Sequence, residues 1–272
     1  MDKKTIAIGL GVAAVIIFAV VSFSRKQKTA EETQGGSALP NAKQLYSQAV
    51  ALKKDHKMAE AQEAYQKILT EYPNADNVET VQLEMEDLNL HMIFSAGQAD
   101  KALVHEVQSG DTLGKLAKKY NTTVELIKRN NNLAGDTIAL GQKLSIWQGS
   151  FNIYVDKSQN ILILKDGNEV VKVYRVSTGQ NNGTPAGKFK IVNKLVDPVW
   201  FNRGVVVPPE SPANVLGSRW MGFDVPGYGI HGTIEPETIG QHVTAGCIRM
   251  RNEEAEELYS LIQVGTEVTV VE

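Results

Sequence analysis

The sequence predicts a multidomain chain in four parts: an N-terminal transmembrane helix, an all-α helical spacer, a small β-α-α-β module and a mainly-β sandwich. Three observations predict it. Thr5 to Phe23 runs 19 residues without a charge. Between Asn41 and Ala96 apolar residues recur at helical spacing. From Phe151 onward the pattern changes to strand-like runs divided by turn signals, with one late helix. The 272 residues leave room for more than one domain at about 100–200 residues each, and a 42% hydrophobic composition supplies cores. A formal charge of −3 carries no basic excess, so nucleic acid is not an expected partner. The single cysteine, Cys247, excludes an internal disulfide and a Cys-rich zinc site, and no metal or cofactor is expected.

The uncharged stretch nearly matches a hydrocarbon core of about 30 Å. It exceeds the roughly 7–15 apolar residues of a cleaved signal, and no good Ala-x-Ala site follows. Residues 5–24 are therefore expected to be an uncleaved signal anchor, with the cytoplasmic membrane as a partner. Lys3 and Lys4 precede it and Arg25, Lys26 and Lys28 follow, so the flanking charges do not orient it. Residues 25–40, polar and rich in Gly and Ser, read as a flexible linker.

Within 41–96, Leu45, Ala49 and Leu52 share one helical face. Ala61, Ala64, Tyr65 and Ile68 share another. Pro73 closes the second helix, and a third spans Val78 to Phe94. Leu45, Ala49, Leu52, Ala61, Tyr65 and Pro73 resemble one tetratricopeptide repeat, a 34-residue unit that usually needs stacked neighbours. The segment reads as a spacer or, alternatively, as a surface for a protein partner.

Residues 103–148 hold two short apolar runs, Val104–Val107 and Lys143–Trp147, around two short helices. Asp111 or Thr112 caps the first helix, and Thr122 or Thr123 the second. "SGDTL", "LAKKYNTTVELIKRNNNL" and "LGQKLSIW" resemble the LysM family over the whole segment. That resemblance implies binding of N-acetylglucosamine glycan, such as that of peptidoglycan, in a shallow groove made by Gly110, Asp111, Thr112 and Leu113 with Asn131, Asn132 and Leu133.

Residues 151–272 open with strands around Asp166-Gly167, a two-residue hairpin signal. Further β-like runs are Phe189–Val192, Val205–Val207 and Val268–Val271. Asn252 to Ile262 is the one helix, with Asn252 as its N-cap. The pattern fits a sandwich or a partly closed barrel.

The chemistry concentrates in "GIHGTIEPETIGQHVTAGCIRM", Gly229 to Met250. A cysteine nucleophile needs a base, because a free thiol with a pKa near ~8.5 is mostly protonated at neutral pH. His231 lies 16 residues before Cys247, within reach through neighbouring strands. Gly246 leaves room for a substrate carbonyl, and N–H groups around Gly246 and Cys247 can receive an oxyanion. Arg249 offers a bidentate fork to a carboxylate. Each residue also has a plain structural reading: Cys247 as core filler, His231 as a satisfied core histidine, Arg249 paired to a local glutamate.

"GIHGT…IG…VTAGCIRM", with "TPAGKFKI" and "GSRWMGF" before it, resembles the L,D-transpeptidase (YkuD-type) catalytic domain. The resemblance implies a β-sandwich in which Cys247 is the nucleophile, His231 the base and the Gly232 carbonyl the group that orients the imidazole. It assigns the Ser/Thr position to Thr244 and the donor stem peptide to Arg249. Many members carry a second histidine directly before the Gly-Cys pair; here Ala245 stands there, and His242 is expected to be a surface or structural residue. The implied reaction is acyl transfer on peptidoglycan tetrapeptide stems, with D-Ala released through a thioester. An amine acceptor gives a 3→3 cross-link, and water gives L,D-carboxypeptidase activity. A wall-anchoring protein without catalysis is the alternative of another class. Such a substrate puts residues from Arg25 onward outside the cytoplasmic membrane, in the cell envelope.

Overall fold

The computed structural model describes residues 41–95, 101–202 and 204–272. The expected span at 5–24 and the linker at 25–40 lie outside the described residues. Among the described residues no helix is long and apolar enough to cross a membrane. The chain divides into two units, Met1–His91 and Met92–Glu272.

The first unit packs helix α1 (Ala42–Lys54) against α2 (Met58–Glu71), and α3 (Val78–Phe94) begins within it. Asn41 and Gln44 form a reciprocal capping box that satisfies two of the free amides at the start of α1. Leu45, Ala49, Ala61, Ala64, Tyr65 and Ile68 are buried, as their spacing requires. Lys53 reaches from α1 to Glu84 and Asp87 on α3, both at 2.9 Å. These are helices where helices are expected; a tetratricopeptide repeat rests on the sequence spacing alone.

The second unit begins with the β-α-α-β module. Strand β1 (Ala102–Glu106) pairs antiparallel with β2 (Lys143–Trp147) around α4 (Leu113–Lys119) and α5 (Val124–Asn130). The caps are Thr112, accepting from Lys115 N at 3.3 Å, and Thr123, accepting from Leu126 N at 2.9 Å. Val107, Leu113, Leu116, Ala117, Ile127, Leu144 and Ile146 form the core. Asn131 laces α5 to β2. Its Nδ2 donates to the Ile127 and Ser145 carbonyls at 2.8 and 2.7 Å, and its Oδ1 accepts from Ser145 N at 2.7 Å.

The β domain follows: β3 (Phe151–Asp156), β4 (Ile161–Asp166), β5 (Glu169–Arg175), β6 (Thr178–Gly179), β7 (Gly187–Val196), β8 (Trp200–Asn202), β9 (Val205–Val207), β10 (Arg219–Phe223), β11 (Gly229–His231), β12 (His242–Thr244), β13 (Ile248–Arg249), helix α6 (Asn252–Leu261) and β14 (Glu267–Val271). Eight strands join in the order β13-β11-β10-β7-β14-β3-β4-β5. Strand β7 belongs to both halves of this sheet: Gly187–Lys190 pair with β14, and residues from Ile191 onward pair with β10. A strand that changes partners in this way turns the corner of a sandwich. The far edges meet as well, because Ser177 and Arg249 exchange backbone hydrogen bonds of 2.8 and 2.9 Å. The domain is thus one bent sheet whose two ends are linked by a single bridge just past β5, between the two architectures the sequence allows. Helix α6 packs on β10 and β11, and its Glu257 also takes Lys172 and Tyr174 of β5 at 2.7 and 2.9 Å.

Two local expectations shift. The hairpin turn is Gly167-Asn168 rather than Asp166-Gly167, since Asp166 pairs with Glu169. Asp166 stays in its strand because its carboxylate accepts from Ser150 N at 2.7 Å and from Lys101 at 3.0 Å. Asn252 is not the N-cap of α6. Arg251 occupies that position without a side-chain cap, and the Asn252 amide is engaged elsewhere.

The β-α-α-β module sits against the end of α6: Thr123 Oγ1 donates to the Ser260 carbonyl, and Gln263 Nε2 donates to the Asn121 carbonyl at 3.3 Å. Leu164 on β4 is fully buried. Leu164→Ala is expected to destabilise this domain by about 2–5 kcal/mol, seen as a lower urea midpoint.

Candidate active site

Strands β11 and β13 run parallel, with Ile230 opposite Ile248 and His231 opposite Arg249. This register brings the segment before β13, which holds Cys247, beside the segment leading into β11. The Cys247 thiol donates to the Gly227 carbonyl at 3.4 Å. The turn that carries the thiol requires glycine. Gly246 has φ +143°, and a Cβ there would lie 2.6 Å from the Tyr228 ring and 2.8 Å from the Gly183 carbonyl oxygen. Thr244 ties the turn together: its hydroxyl donates to the Cys247 carbonyl at 2.6 Å and accepts from Gly246 N at 3.1 Å. The Gly246 N–H is therefore engaged. Among the described residues the Cys247 N–H has no partner, and it is the backbone donor left for an oxyanion.

His231 is 3% exposed, and its Nδ1 lies 2.6 Å from the Gly232 carbonyl oxygen. A carbonyl only accepts, so Nδ1 carries the proton and Nε2 carries the lone pair. Burial pushes the imidazole pKa down to about 4, with backbone carbonyl contacts opposing and the Arg249 charge adding to the shift. Burial also pushes the Cys247 thiol up to about 11, against the Gly229 N–H and the Arg249 charge. Both groups are thus neutral near pH 7, and the thiol's hydrogen-bond partner is the Gly227 carbonyl rather than the imidazole. The Trp220 ring stacks on the imidazole, centroids 6.1 Å apart and planes at 22°.

Arg249 is nearly buried, and its Nη1 donates to Glu235 at 2.6 Å and to Thr238 Oγ1 at 2.9 Å. Its Nε has no hydrogen-bond partner. A substrate carboxylate would share the guanidinium with Glu235, a partner within the stretch that the motif left unassigned. His242 is exposed and structural. Its Nδ1 meets Thr178 Oγ1 at 2.8 Å, and its Nε2 accepts from Asn160 Nδ2 at 3.2 Å, joining β12 to β6. Among the described residues no three His, Cys, Asp or Glu side chains gather to hold a metal.

The expected glycan groove divides. Gly110, Thr112 and Asn132 are exposed. Asp111 is turned inward, accepting from Gln108 N and from His105 Nε2, each at 2.8 Å. Leu113 is a core residue, Leu133 packs on that core, and the Asn131 amide is fully occupied. These contacts hold the loops in shape.

The two perturbed groups give stability a pH window. An imidazole lowered from 6.5 to about 4 withholds a proton that the unfolded chain binds, so stability is lost as pH falls from 6.5 towards 4. A thiol raised from 9.0 to about 11 keeps a proton that the unfolded chain releases, so stability is lost as pH rises from 9 towards 11. Each limb is on the order of a few kcal/mol. Denaturant midpoints against pH are expected to fall on both sides, with His231→Gln flattening the acid limb and Cys247→Ala the alkaline one.

A family profile of the L,D-transpeptidase catalytic domain (YkuD) matches residues 150–270, and one of the LysM domain matches residues 105–147. YqjB of Bacillus subtilis, named as an L,D-transpeptidase, is 40% identical over 126 residues, covering 44% of this chain and 70% of its own. YkuD of Bacillus subtilis, named likewise, is 31% identical over 175 residues, covering 62% of this chain and 98% of its own. Among solved structures, an L,D-transpeptidase from Mycobacterium smegmatis is similar at 21% identity, with a TM-score of 0.39 over 48% of this chain and 64% of its own, just under two thirds of that protein's length. With its LysM domain and its catalytic domain so matched, the chain belongs to the YkuD-type L,D-transpeptidase family.

Proposed function

We propose that the chain is a cysteine-dependent L,D-transpeptidase acting on peptidoglycan stems, with Cys247 as nucleophile and His231 as base. The observation that carries the reading is the Nδ1–Gly232 contact at 2.6 Å. It leaves Nε2 as the acceptor in a ring that burial keeps neutral, which is what a general base requires. Other cysteine enzymes orient the imidazole with Asn or Asp; here a backbone carbonyl takes that part.

The resting thiol is too weak an acid to ionise alone. Proton transfer to His231 therefore accompanies attack on the carbonyl that joins the third stem residue to D-Ala. The new C–S bond forms, and the carbonyl oxygen becomes an oxyanion facing the Cys247 N–H. Collapse breaks the C–N bond, and the proton on His231 leaves with D-Ala as its amine. A second amine, from another stem, is then deprotonated by His231 and attacks the thioester, which gives the 3→3 cross-link and returns the thiol. Water in its place gives the carboxypeptidase product. Arg249, held by Glu235, supplies positive charge near the stem's carboxylates.

The LysM domain is read as the part that holds glycan, through the exposed Gly110, Thr112 and Asn132. Residues 5–24 are read as a membrane anchor that leaves the catalytic domain on the outer side of the cytoplasmic membrane. The 41–96 helices are read as a spacer, with a protein partner as the other use of their surface.

Incubation with disaccharide-tetrapeptide is expected to release D-Ala and to give a cross-linked dimer lacking one D-Ala, followed by mass. Cys247→Ala is expected to abolish product, and His231→Gln to reduce the rate about 10²–10⁴-fold. Undiminished product from Cys247→Ala would defeat the enzyme reading.

A further inference from the structure

Asn252 is the first residue of α6, yet its side chain does not cap that helix. It turns instead between two backbone segments from elsewhere in the chain. Its Oδ1 accepts from the Ser218 N–H at 3.1 Å and from the Thr233 N–H at 3.0 Å, and its Nδ2 donates to the Thr233 carbonyl at 2.8 Å. The fit depends on glycine. A Cβ on either Gly217 or Gly232 would lie 2.2 Å from Asn252 Oδ1, so no side chain can stand at these positions while the amide is in place.

The Thr233 N–H belongs to the same peptide group as the Gly232 carbonyl. A trans peptide is planar, and its C=O and N–H point in opposite directions. Asn252 holds the N–H end; the C=O end receives His231 Nδ1 at 2.6 Å. Rotation of this peptide would break both bonds together. The Met250 N–H, 2.8 Å from the His231 carbonyl, fixes the preceding peptide, His231–Gly232. Sharing of the peptide also strengthens each bond through polarisation.

We infer that Asn252 is a positioning residue for the reaction: by holding the Gly232–Thr233 peptide in one orientation, it sets the tautomer and direction of the His231 imidazole. The link to rate rests on the proposed role of His231 as base; the link to tautomer does not. Asn252 thus does at one remove what an Asn or Asp side chain does directly in other cysteine enzymes, acting through a backbone carbonyl that cannot ionise.

The test uses the full chain with Asn252→Ala and Asn252→Asp. Asn252→Ala removes both ends of the clamp. Its kcat is expected to fall at least about tenfold with KM changed by less than about threefold, since only the orientation of the base is altered. The ¹⁵N resonances of the His231 ring are expected to show Nε2–H appearing beside the Nδ1–H form. Asn252→Asp keeps an acceptor for the Thr233 N–H, and is expected to keep the Nδ1–H tautomer with kcat within about fivefold of wild type. A folded Asn252→Ala with unchanged kcat and unchanged ring resonances would overturn the inference. If Asn252→Ala does not fold, Asn252→Asp decides: retention of the tautomer and rate supports it, and loss of either overturns it. The ring resonances need no turnover, so full activity in Cys247→Ala would remove the proposed function while leaving the tautomer result to be judged alone.

Discussion

One peptide group, Gly232–Thr233, is the constraint on which the catalytic end of this domain depends. Its carbonyl fixes the His231 ring at 2.6 Å, and its N–H is held at 3.0 Å by Asn252. The fold converges on it from three directions. Strand β10 approaches antiparallel to β11, pairing Trp220 with His231. Strand β13 approaches parallel to β11 and brings Cys247 alongside. Helix α6, which braces both halves of the bent sheet, presents Asn252 at its first turn. Two strands and a helix so short would not define a site alone; the hydrogen bonds to shared backbone make their relative placement specific.

Burial then decides the chemistry. Burying His231 fully and Cys247 in part penalises each charged form, and the pKa values move apart to about 4 and about 11. Arg249 favours thiolate and disfavours imidazolium, but its charge is already shared with Glu235. The resting site is neutral, so in the proposed mechanism the thiol would lose its proton only as it attacks. Ala245 brings no further imidazole to the thiol turn, which is tied together by the Thr244 hydroxyl.

Much of this was legible in the sequence. The helix faces of 41–96 and the strands of the LysM segment follow from spacing, each LysM cap is narrowed to one of two neighbours, and the His231–Gly232 contact follows the motif resemblance. What was not legible depends on tertiary contacts. Strands β6, β8 and β11 to β13 have two or three residues each, too few for any period to register. Asn252 satisfies every local rule for an N-cap and is drawn away by loops 19 and 34 residues distant. Leu113 and Asn131 sit in a motif associated with glycan, yet one fills the core and the other laces helix to strand. Glu235 showed no signal beyond lying near Arg249 in the same glycine-rich stretch.

The LysM domain shares a unit with the catalytic domain and is seated on the end of α6, the helix whose other end carries Asn252. A glycan held by that module would therefore be presented from a fixed side. The central claim, that Cys247 becomes acylated by a stem peptide, is tested most directly by intact-mass measurement of the protein quenched in acid after brief exposure to a tetrapeptide stem. The account predicts a mass gain equal to the tripeptide acyl group, mapped to Cys247 and released by hydroxylamine. A protein that turns the stem over with no adduct at Cys247, or with one on another residue, would contradict it.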